Sequence, residues 1–321
     1  LLQFATHAGP VTAVVWHPTQ PQFLTASGDK TTVVHGFANA KPIADATAIG
    51  AVLVPATGAN LVLAAGTGPA VALVNVTNGA KERSFDAGTP VTAAALSKNG
   101  QLLAVAAGTD QKIKLFRVGD GGVFGTFVPG GRVTDLSFHP TLPALVGVVD
   151  GSRVVAWNVA GDPGQPPPEE FGKPVQEFPH PAKVNAVLFN ADGTLLTGSD
   201  DKNLRVWRFA SDAPVKTFAH PNVVSAVAFD QAAGILATGC NDGVLRLWDT
   251  KTNQPKAINA HVGKDNQPSP IYAVAFSPDY SKIATGSFDA SIKLWDAKAG
   301  TLVREIKAGV DRFPADPTLV T

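Results

Sequence analysis

The fold is decided by residues 271–296, which read Ile271-Tyr-Ala-Val-Ala-Phe-Ser-Pro-Asp-Tyr-Ser-Lys-Ile-Ala-Thr-Gly-Ser-Phe-Asp-Ala-Ser-Ile-Lys-Leu-Trp-Asp296. Three short apolar runs are separated here by turns that contain Pro, Asp, Gly and Ser. Short runs rich in β-branched and aromatic residues, bounded by such turn residues, are typical of β-strands. The stretch therefore predicts three successive strands joined by tight turns.

The first run of this stretch recurs along the whole chain. Self-comparison finds seven copies, which start near residues 11, 49, 91, 133, 184, 224 and 271. A more polar fourth run, such as Pro214–His220, closes each unit, and no segment sustains a helical period. The first strand is almost entirely apolar, so we expect it to be crowded on both faces, with the fourth strand outside. Small antiparallel sheets packed radially account for such a repeat and protect the strand edges.

The third runs of the last two units end in Trp248-Asp249 and Trp295-Asp296. Together with the spacing of the units, these pairs resemble the WD-repeat β-propeller family. The resemblance covers Leu1 to about Ala308 and is strongest in units five to seven. The tryptophan position departs from the family pattern in the earlier units, which have His35 in unit one, Val74-Asn75 in unit two and Phe116 in unit three.

This resemblance implies an all-β protein, a seven-bladed β-propeller of four-stranded antiparallel blades. We expect one propeller over residues 1–308 and a C-terminal tail or linker over 309–321. Two segments fit the fourth-strand pattern of the last blade, Leu1–Thr6 and Thr301–Lys307. The family usually closes its ring with an N-terminal strand, so we expect Leu1–Thr6 to pair beside Ile292–Trp295. The alternative is a ring of self-contained blades with Leu1–Thr6 outside.

Composition restricts the possible functions. The 321 residues carry 26 Lys and Arg against 26 Asp and Glu, and a net charge of zero argues against a non-specific grip on nucleic acid or anionic membrane. Cys240 is the only cysteine, which excludes internal disulfides and cysteine-based metal clusters. We interpret it as a small buried residue.

Other features of the chain bear on its origin. No apolar run approaches the ~20 residues of a membrane span. Leu1 is not an initiator and the chain has no Met, so we expect a piece of a longer or processed precursor. The Ala, Val, Gly and Pro bias suggests a bacterial source, and the compartment is left open.

A histidine, a threonine, an aspartate and a tryptophan recur together in the last three units. The members are His180, Thr197, Asp201 and Trp207, then His220, Thr238, Asp242 and Trp248, then His261, Thr285, Asp289 and Trp295. A hydroxyl, an imidazole and a carboxylate could form a nucleophilic triad, but three copies of one would be odd. The resemblance implies instead a structural network in which Asp accepts from His, His meets Thr, and Thr meets the Trp N–H. We therefore expect no catalytic residue, no cofactor and no metal site.

An active site in the central channel would need titratable side chains at the start of the first strands. The second positions of these strands read Thr, Gly, Thr, Thr, Asn, Ser and Tyr, and Asp135 is the only charged residue nearby. This pattern does not favour an enzyme.

Two insertions and one unusual aromatic residue mark possible binding surfaces. Loop 160–173 lies between the third and fourth strands of unit four, and loop 262–270 precedes the first strand of unit seven. The resemblance places loop 262–270 on the wide face, formed by the connections between blades and the turns between second and third strands. Phe288 stands in such a turn, where Ser, Asp or Asn is usual. Its alternatives are an exposed hot spot or a ring folded over its neighbours. The candidate partner-binding residues are Phe288, Lys264, Asp265, Asn266, Gln267, Lys202 and Lys30.

The function that these observations favour is a non-catalytic protein-interaction scaffold. We expect a protein or peptide partner on the wide face, no nucleic acid, no membrane insertion and a monomeric domain. One alternative is a structural or regulatory module of a larger protein whose activity lies in a fused domain. The proline-rich loop 160–173 could also be a ligand for an aromatic groove in another domain.

Overall fold

The computed structural model describes residues 7–16, 22–29, 31–36, 40–42, 52–55, 61–65, 68–75, 81–108, 111–230, 233–263 and 266–307. Within these residues all regular structure is β-strand, arranged as seven separate four-stranded sheets. Each sheet is a blade of four consecutive strands that pair antiparallel in chain order. The expectation of a seven-bladed propeller is therefore confirmed.

The strands are numbered in chain order, four to a blade. Blades one to four comprise β1 (Val11–Trp16), β2 (Gln22–Ser27), β3 (Thr32–Gly36), β4 (Ala40–Pro42), β5 (Val52–Pro55), β6 (Leu61–Ala65), β7 (Ala70–Asn75), β8 (Lys81–Asp86), β9 (Val91–Leu96), β10 (Leu102–Ala107), β11 (Ile113–Arg117), β12 (Val123–Phe127), β13 (Val133–Phe138), β14 (Ala144–Val149), β15 (Arg153–Asn158) and β16 (Pro174–Phe178). Blades five to seven comprise β17 (Val184–Phe189), β18 (Leu195–Ser199), β19 (Asn203–Trp207), β20 (Lys216–Ala219), β21 (Val224–Asp230), β22 (Ile235–Cys240), β23 (Val244–Asp249), β24 (Pro255–Asn259), β25 (Ile271–Phe276), β26 (Lys282–Ser287), β27 (Ile292–Asp296) and β28 (Leu302–Ile306).

The first strands of neighbouring blades contact one another around the whole ring, including β25 of blade seven and β1 of blade one. Small residues on the second strands make this close approach possible. A Cβ atom on Gly198, Gly239 or Gly286 would lie 2.5–2.8 Å from a branched side chain that begins the next first strand, namely Val224, Ile271 or Val11. The glycine of the recurring Thr-Gly pair therefore makes room for the neighbouring blade.

Polar side chains at the second position of the first strands join neighbouring blades. Thr92 Oγ1 donates to the Val133 carbonyl at 2.6 Å, Asn185 Nδ2 donates to that of Val224 at 3.1 Å, and Ser225 Oγ donates to that of Ile271 at 2.6 Å. These bonds satisfy buried backbone acceptors at the crowded inner edge of the blades. The small polar residues near the channel thus hold the ring together.

The ring closes differently from our expectation. β28 pairs with β27, with Ile306 opposite Ile292 and Leu302 opposite Trp295. The place expected for Leu1–Thr6 is therefore taken by Leu302–Ile306, which wins because it follows β27 after a tight turn and loses little chain entropy on pairing. The seam between blades seven and one is closed by apolar packing that includes Val11 and Ala284.

Parts of the predicted organisation fall outside the described residues. These are Leu1–Thr6, Ile49 at the predicted start of the second unit, and the tail 309–321. The first strand of blade two begins at Val52 in the structure, and the other six begin at the residues named above. The division into a propeller over 1–308 and a tail stays a prediction.

Candidate interaction surface

The wide face is built by one hydrogen bond that recurs in six blades. The amide that follows each second strand donates to the carbonyl that precedes the first strand, at 2.8–3.1 Å. The pairs are Gly28 and Pro10, Gly108 and Pro90, Asp150 and Arg132, Asp200 and Lys183, Asn241 and Val223, and Phe288 and Pro270. The turns and the connections between blades therefore form a single surface with a fixed backbone.

Buried threonine hydroxyls form the centre of the polar network in blades five to seven. Thr197 Oγ1 lies 2.8 Å from His180 Nε2 and accepts the Trp207 indole N–H at 3.0 Å. The equivalent contacts measure 2.9 and 3.2 Å around Thr238, and 2.7 and 3.0 Å around Thr285. All three threonines have no solvent exposure, so the network leaves no accessible nucleophile.

The aspartates of these blades behave in two ways. In blade seven, Asp289 Oδ2 lies 3.2 Å from His261 Nδ1, as the resemblance implied. In blade five, Arg205 binds Asp201 at 2.5 Å, and His180 Nδ1 donates instead to the Phe178 carbonyl at 2.8 Å. Blade six repeats this second arrangement. The expected contact between aspartate and histidine is therefore wrong for blades five and six.

The residues that follow each aspartate explain the difference. In blade seven, Ser291 lies two positions after Asp289 and bridges it to His261, with Oγ 2.6 Å from Asp289 Oδ1 and 3.0 Å from Nδ1. In blades five and six, an arginine lies four positions after the aspartate. Because a guanidinium is a charged donor, it takes the carboxylate from the neutral imidazole.

The pKa values follow from this arrangement. Burial lowers the pKa of His220 to about 4 and also lowers the pKa of His180. Burial raises the pKa of the Asp289 carboxyl, but the hydrogen bond and charge of His261 and the hydrogen bonds from Ser291 together outweigh it and leave that pKa at about 2. Burial also lowers the pKa of His261, so the three histidines are neutral near pH 7 and each Nε2 accepts a hydrogen bond from the threonine hydroxyl.

Blade one carries a variant of the network with a second histidine. Thr25 Oγ1 lies 2.7 Å from both His7 Nε2 and His35 Nε2, so His35 takes the place of the tryptophan. The His35 ring stacks on Phe23 with centroids 4.7 Å apart. Its Nδ1 is buried and has no hydrogen-bond partner among the described residues, and burial lowers the pKa of the imidazole to about 3.

The environments of Asp135 and Cys240 indicate structural roles for both residues. Asp135 Oδ2 accepts the Val187 amide of the next blade at 2.9 Å, and burial raises the pKa of its carboxyl to about 6. Burial likewise raises the pKa of the Cys240 thiol to about 12, which suppresses the reactive thiolate.

The described part of the chain contains no group of three His, Cys, Asp or Glu side chains that could hold a metal. Among the same residues, no helix has the length and apolar character needed to cross a membrane.

A short hairpin rises from the wide face between blades six and seven. Val262 and Pro268 form an antiparallel bridge, and the Gly263 amide donates to the Gln267 carbonyl at 2.7 Å. The base is held by Ser269, which is buried and lies 3.0 Å from Ser287 Oγ through its hydroxyl. Loop 262–270 is therefore anchored at its base.

Three apolar side chains are exposed here, one in the hairpin and two beside it. Phe288 is 57% exposed, Tyr272 37% and Val262 44%. The Phe288 ring meets Tyr272 edge to face, with centroids 6.3 Å apart. The aromatic residue predicted from the turn thus remains largely exposed while its backbone is tied to Pro270. We name Val262, Tyr272 and Phe288 the wide-face apolar patch.

The remaining candidate residues divide between described and undescribed parts of the chain. Asn266 and Gln267 are exposed in the hairpin. Lys202 is exposed in the β18–β19 turn of blade five, which is equivalent to the turn that contains Phe288. Lys30, Lys264 and Asp265 lie outside the described residues. Tyr272 was not among the predicted binding residues, although a large aromatic residue at a strand position otherwise held by Thr, Gly, Asn and Ser was the signal for it.

Loop 160–173 folds back onto blade three. The Phe171 ring packs against Phe124 and Phe127 of β12, with centroids 5.3 and 5.8 Å apart. A Cβ atom on Gly125 would lie 2.5 Å from the Phe171 ring, so glycine is needed there. Pro166–Pro168, which precede this anchored end of the loop, remain exposed.

The repeat geometry and its network agree with comparisons to known proteins. A family model described as WD domain, G-beta repeat, matches residues 1–35, 79–117, 172–208, 212–249 and 256–296, which is more than half of the chain. The chain belongs to the WD-repeat family. The matches include the three units with the best-kept pattern, five to seven, and they omit residues 36–78, which contain the poor third run of unit two, and residues 118–171.

Among curated WD-repeat relatives, a poly(A)+ RNA export protein of Schizosaccharomyces pombe is 32% identical over 40% of this chain and 36% of its own length. A coronin-like protein of Saccharomyces cerevisiae is 27% identical over 42% of this chain and 23% of its own. Human coronin-7 is 28% identical over 42% of this chain and 14% of its own length. The chain thus covers well under half of each. All three are eukaryotic and give no support to the bacterial source suggested by composition.

Proposed function

We propose that this WD-repeat protein is a non-catalytic scaffold that binds a protein or peptide partner on its wide face, over blades six and seven. The wide-face apolar patch carries the proposal, because Tyr272 and Phe288 are exposed aromatic side chains on an anchored backbone. Aromatic side chains dominate binding hot spots. A pre-organised backbone also reduces the ordering cost of association.

Charge and the polar network support the same class of partner. The chain has no net charge, which disfavours nucleic acid and anionic membranes as partners. The hydroxyls of the network are buried, which disfavours a catalytic role. A monomeric state completes the proposal, and sedimentation of the purified protein tests it.

Quantitative affinity purification from the protein's native cells tests the wide face. The bait is the full chain, compared with a Tyr272→Ser/Phe288→Ser variant. We expect a partner whose recovery falls at least ten-fold with the double variant. Tyr280→Asn is the matched control, because Tyr280 is 39% exposed in the β25–β26 turn on the opposite face, in a left-handed conformation that asparagine tolerates.

Thermal melting must show that all three baits are folded. Equal recovery of every partner with the wild-type protein and the double variant would refute the wide-face proposal. Loss of the partner with Tyr280→Asn but not with the double variant would instead indicate a binding surface on the opposite face.

The alternative of a structural or regulatory module, with its activity in a fused domain, stays a prediction. Sequencing the full-length transcript tests it. A coding sequence with a further catalytic domain would favour it over a stand-alone scaffold.

A further inference from the structure

A cleft on the face opposite the wide face has walls from blades three and four. Its volume is about 500 Å³, and it is open to solvent. Its walls are the turn 97–101 of blade three, the turn 139–143 of blade four, and residues 159–163 of the blade-four insertion. We name it the blade-four cleft. Pockets of this size accommodate ligands, so the question is which chemistry it fits.

The insertion is what makes the cleft. Residues 159–173 separate β15 from β16, whereas residues 118–122, 250–254 and 297–301 make the same connection in blades three, six and seven. The Phe171 anchor on β12 holds the far end of the insertion, and Arg117 Nη1 donates to the Pro163 carbonyl at 3.3 Å. The third wall is thereby held in place across the boundary between blades.

The wall formed by the blade-four turn is fixed as well. His139 Nδ1 accepts the amides of Thr141 and Leu142 at 3.2 and 2.8 Å, which locks the turn between Pro140 and Pro143. The Val159 amide donates to the Pro143 carbonyl at 2.8 Å and ties this turn to the insertion. Because the walls are fixed by these internal bonds, a ligand would meet a preformed surface.

The lining mixes polar side chains, among them Ser97, Asn99, Gln101 and Thr141, with an apolar floor and one cationic end. Leu102, Phe138, Pro140 and Leu142 line the cleft, and Leu142 is 48% exposed. Lys98 is the charged group of the lining, is exposed, and has no ion-pair partner in the described part of the chain. The pKa of His139 is lowered by burial, so its imidazole adds no charge near pH 7.

From these features we infer that the blade-four cleft is a second binding site, for a peptide segment with a bulky apolar side chain followed by a carboxylate. The apolar side chain packs against Leu142, Phe138 and Pro140, and the carboxylate pairs with Lys98. A peptide fits better than a small molecule, because an open cleft covers only one side of its ligand. The site is independent of the wide face.

Selection from a phage library of random 12-residue peptides on the full chain tests this inference. Enriched peptides are then labelled and measured by fluorescence polarisation. We expect a consensus with an aromatic or aliphatic residue near Asp or Glu, and at least ten-fold weaker binding to Leu142→Asp. Lys98→Glu should weaken these peptides similarly, and selection on that variant should yield Lys or Arg in place of the acid.

Lys251→Glu is the matched control, because Lys251 is exposed in the β23–β24 turn on the same face of blade six. Equal effects of Lys98→Glu and Lys251→Glu, or enriched peptides that bind Leu142→Asp unchanged, would overturn the inference, as would no enrichment. Peptides lost only with the Tyr272→Ser/Phe288→Ser variant would overturn it while supporting the wide-face function. Peptides lost only with Leu142→Asp would support the cleft.

Discussion

The buried threonine hydroxyls of blades five to seven each contact two ring nitrogens, one of a histidine and one of a tryptophan. Thr197 accepts the Trp207 N–H and contacts His180 Nε2, and within the described part of the chain neither ring nitrogen has another hydrogen-bond partner. A buried donor or acceptor without a partner costs about 1–3 kcal/mol. The network is therefore sensitive to the loss of one oxygen atom.

We predict that Thr197→Val lowers the free energy of unfolding by about 2 kcal/mol or more. The side chain keeps its shape, but the indole and the imidazole both lose their partner. Denaturant unfolding followed by tryptophan fluorescence measures the loss. Thr217→Val is the control, since Thr217 is exposed on the outer strand of the same blade; equal losses in both variants would contradict the network.

His35 gives blade one a dependence on acid. Its pKa of about 3 lies below the ordinary 6.5, so the unfolded chain takes up the proton first. Its contribution to stability is complete above about pH 6.5 and is lost as the pH falls towards about 3. The positive charges of His7 and Arg304 oppose protonation further.

We predict that His35→Trp reduces the loss of stability between pH 7 and pH 5 by about 2 kcal/mol. The tryptophan N–H can donate to Thr25, as the indoles of the later blades do, and it does not titrate. Chemical denaturation at both pH values measures the difference. His35→Phe should show the same reduced pH dependence with lower stability at pH 7, and an unchanged pH dependence in both variants would be evidence against a role for His35.

At the scale of the element, the turns of the wide face share a left-handed residue after the aspartate. It is Lys202 in blade five, Gly243 in blade six and Ala290 in blade seven, with φ of 66°, 69° and 62°. Gly243 has a second constraint, because a Cβ atom there would lie 2.3 Å from the His261 carbonyl oxygen at the base of the hairpin. Equivalent positions therefore differ in what they tolerate.

We predict opposite effects for two substitutions at this position. Gly243→Ala should cost more than about 2 kcal/mol, from the strained φ and the contact with His261. Ala290→Gly should leave the protein between about 0 and 1 kcal/mol more stable, because glycine relieves the left-handed conformation. Thermal melting of the two variants gives the signs. A stable Gly243→Ala protein would mean that the hairpin base can move.

The blade pattern could be predicted from the sequence because its signals are local. Apolar runs, turn residues and the Trp-Asp pairs repeat within each unit. The aspartate partners were not predicted, because the family pattern implied histidine as the partner in every blade. Whether a nearby side chain bridges to the histidine, as Ser291 does, or binds the carboxylate itself, as Arg205 does, depends on which donor reaches the carboxylate in three dimensions. Phe288 could be singled out from its turn, whereas the cleft beside Leu142 arises only when an insertion from one blade packs on another.

At the scale of the whole molecule, the polar networks are unevenly distributed among the blades. Blades five to seven contain the complete threonine networks, whereas blade two lacks the threonine and the leading histidine. We predict slower amide exchange in β18, β22 and β26 than in β6 of blade two, because fewer local openings expose well-connected strands. Hydrogen exchange with peptide resolution measures this. Faster exchange at Thr197, Thr238 and Thr285 than in blade two would contradict it.

Ring closure shows the limit of inference from a family pattern. Leu1–Thr6 and Leu302–Ile306 both have the alternating composition of a fourth strand, so composition could not choose between them. The short connection from β27 to β28 decides in favour of the C-terminal segment.

The self-contained last blade has a mechanical consequence. In the described residues, blades one and seven are joined by side chains, such as Trp16 donating to the Ala275 carbonyl at 3.2 Å, and not by a shared ladder of strands. A force applied between Val11 and Ile306 would load this seam first and shear apolar surfaces apart, instead of breaking backbone hydrogen bonds one by one. The ring would then open at the boundary between blades seven and one, and the other six boundaries would stay intact until the blades themselves unfold.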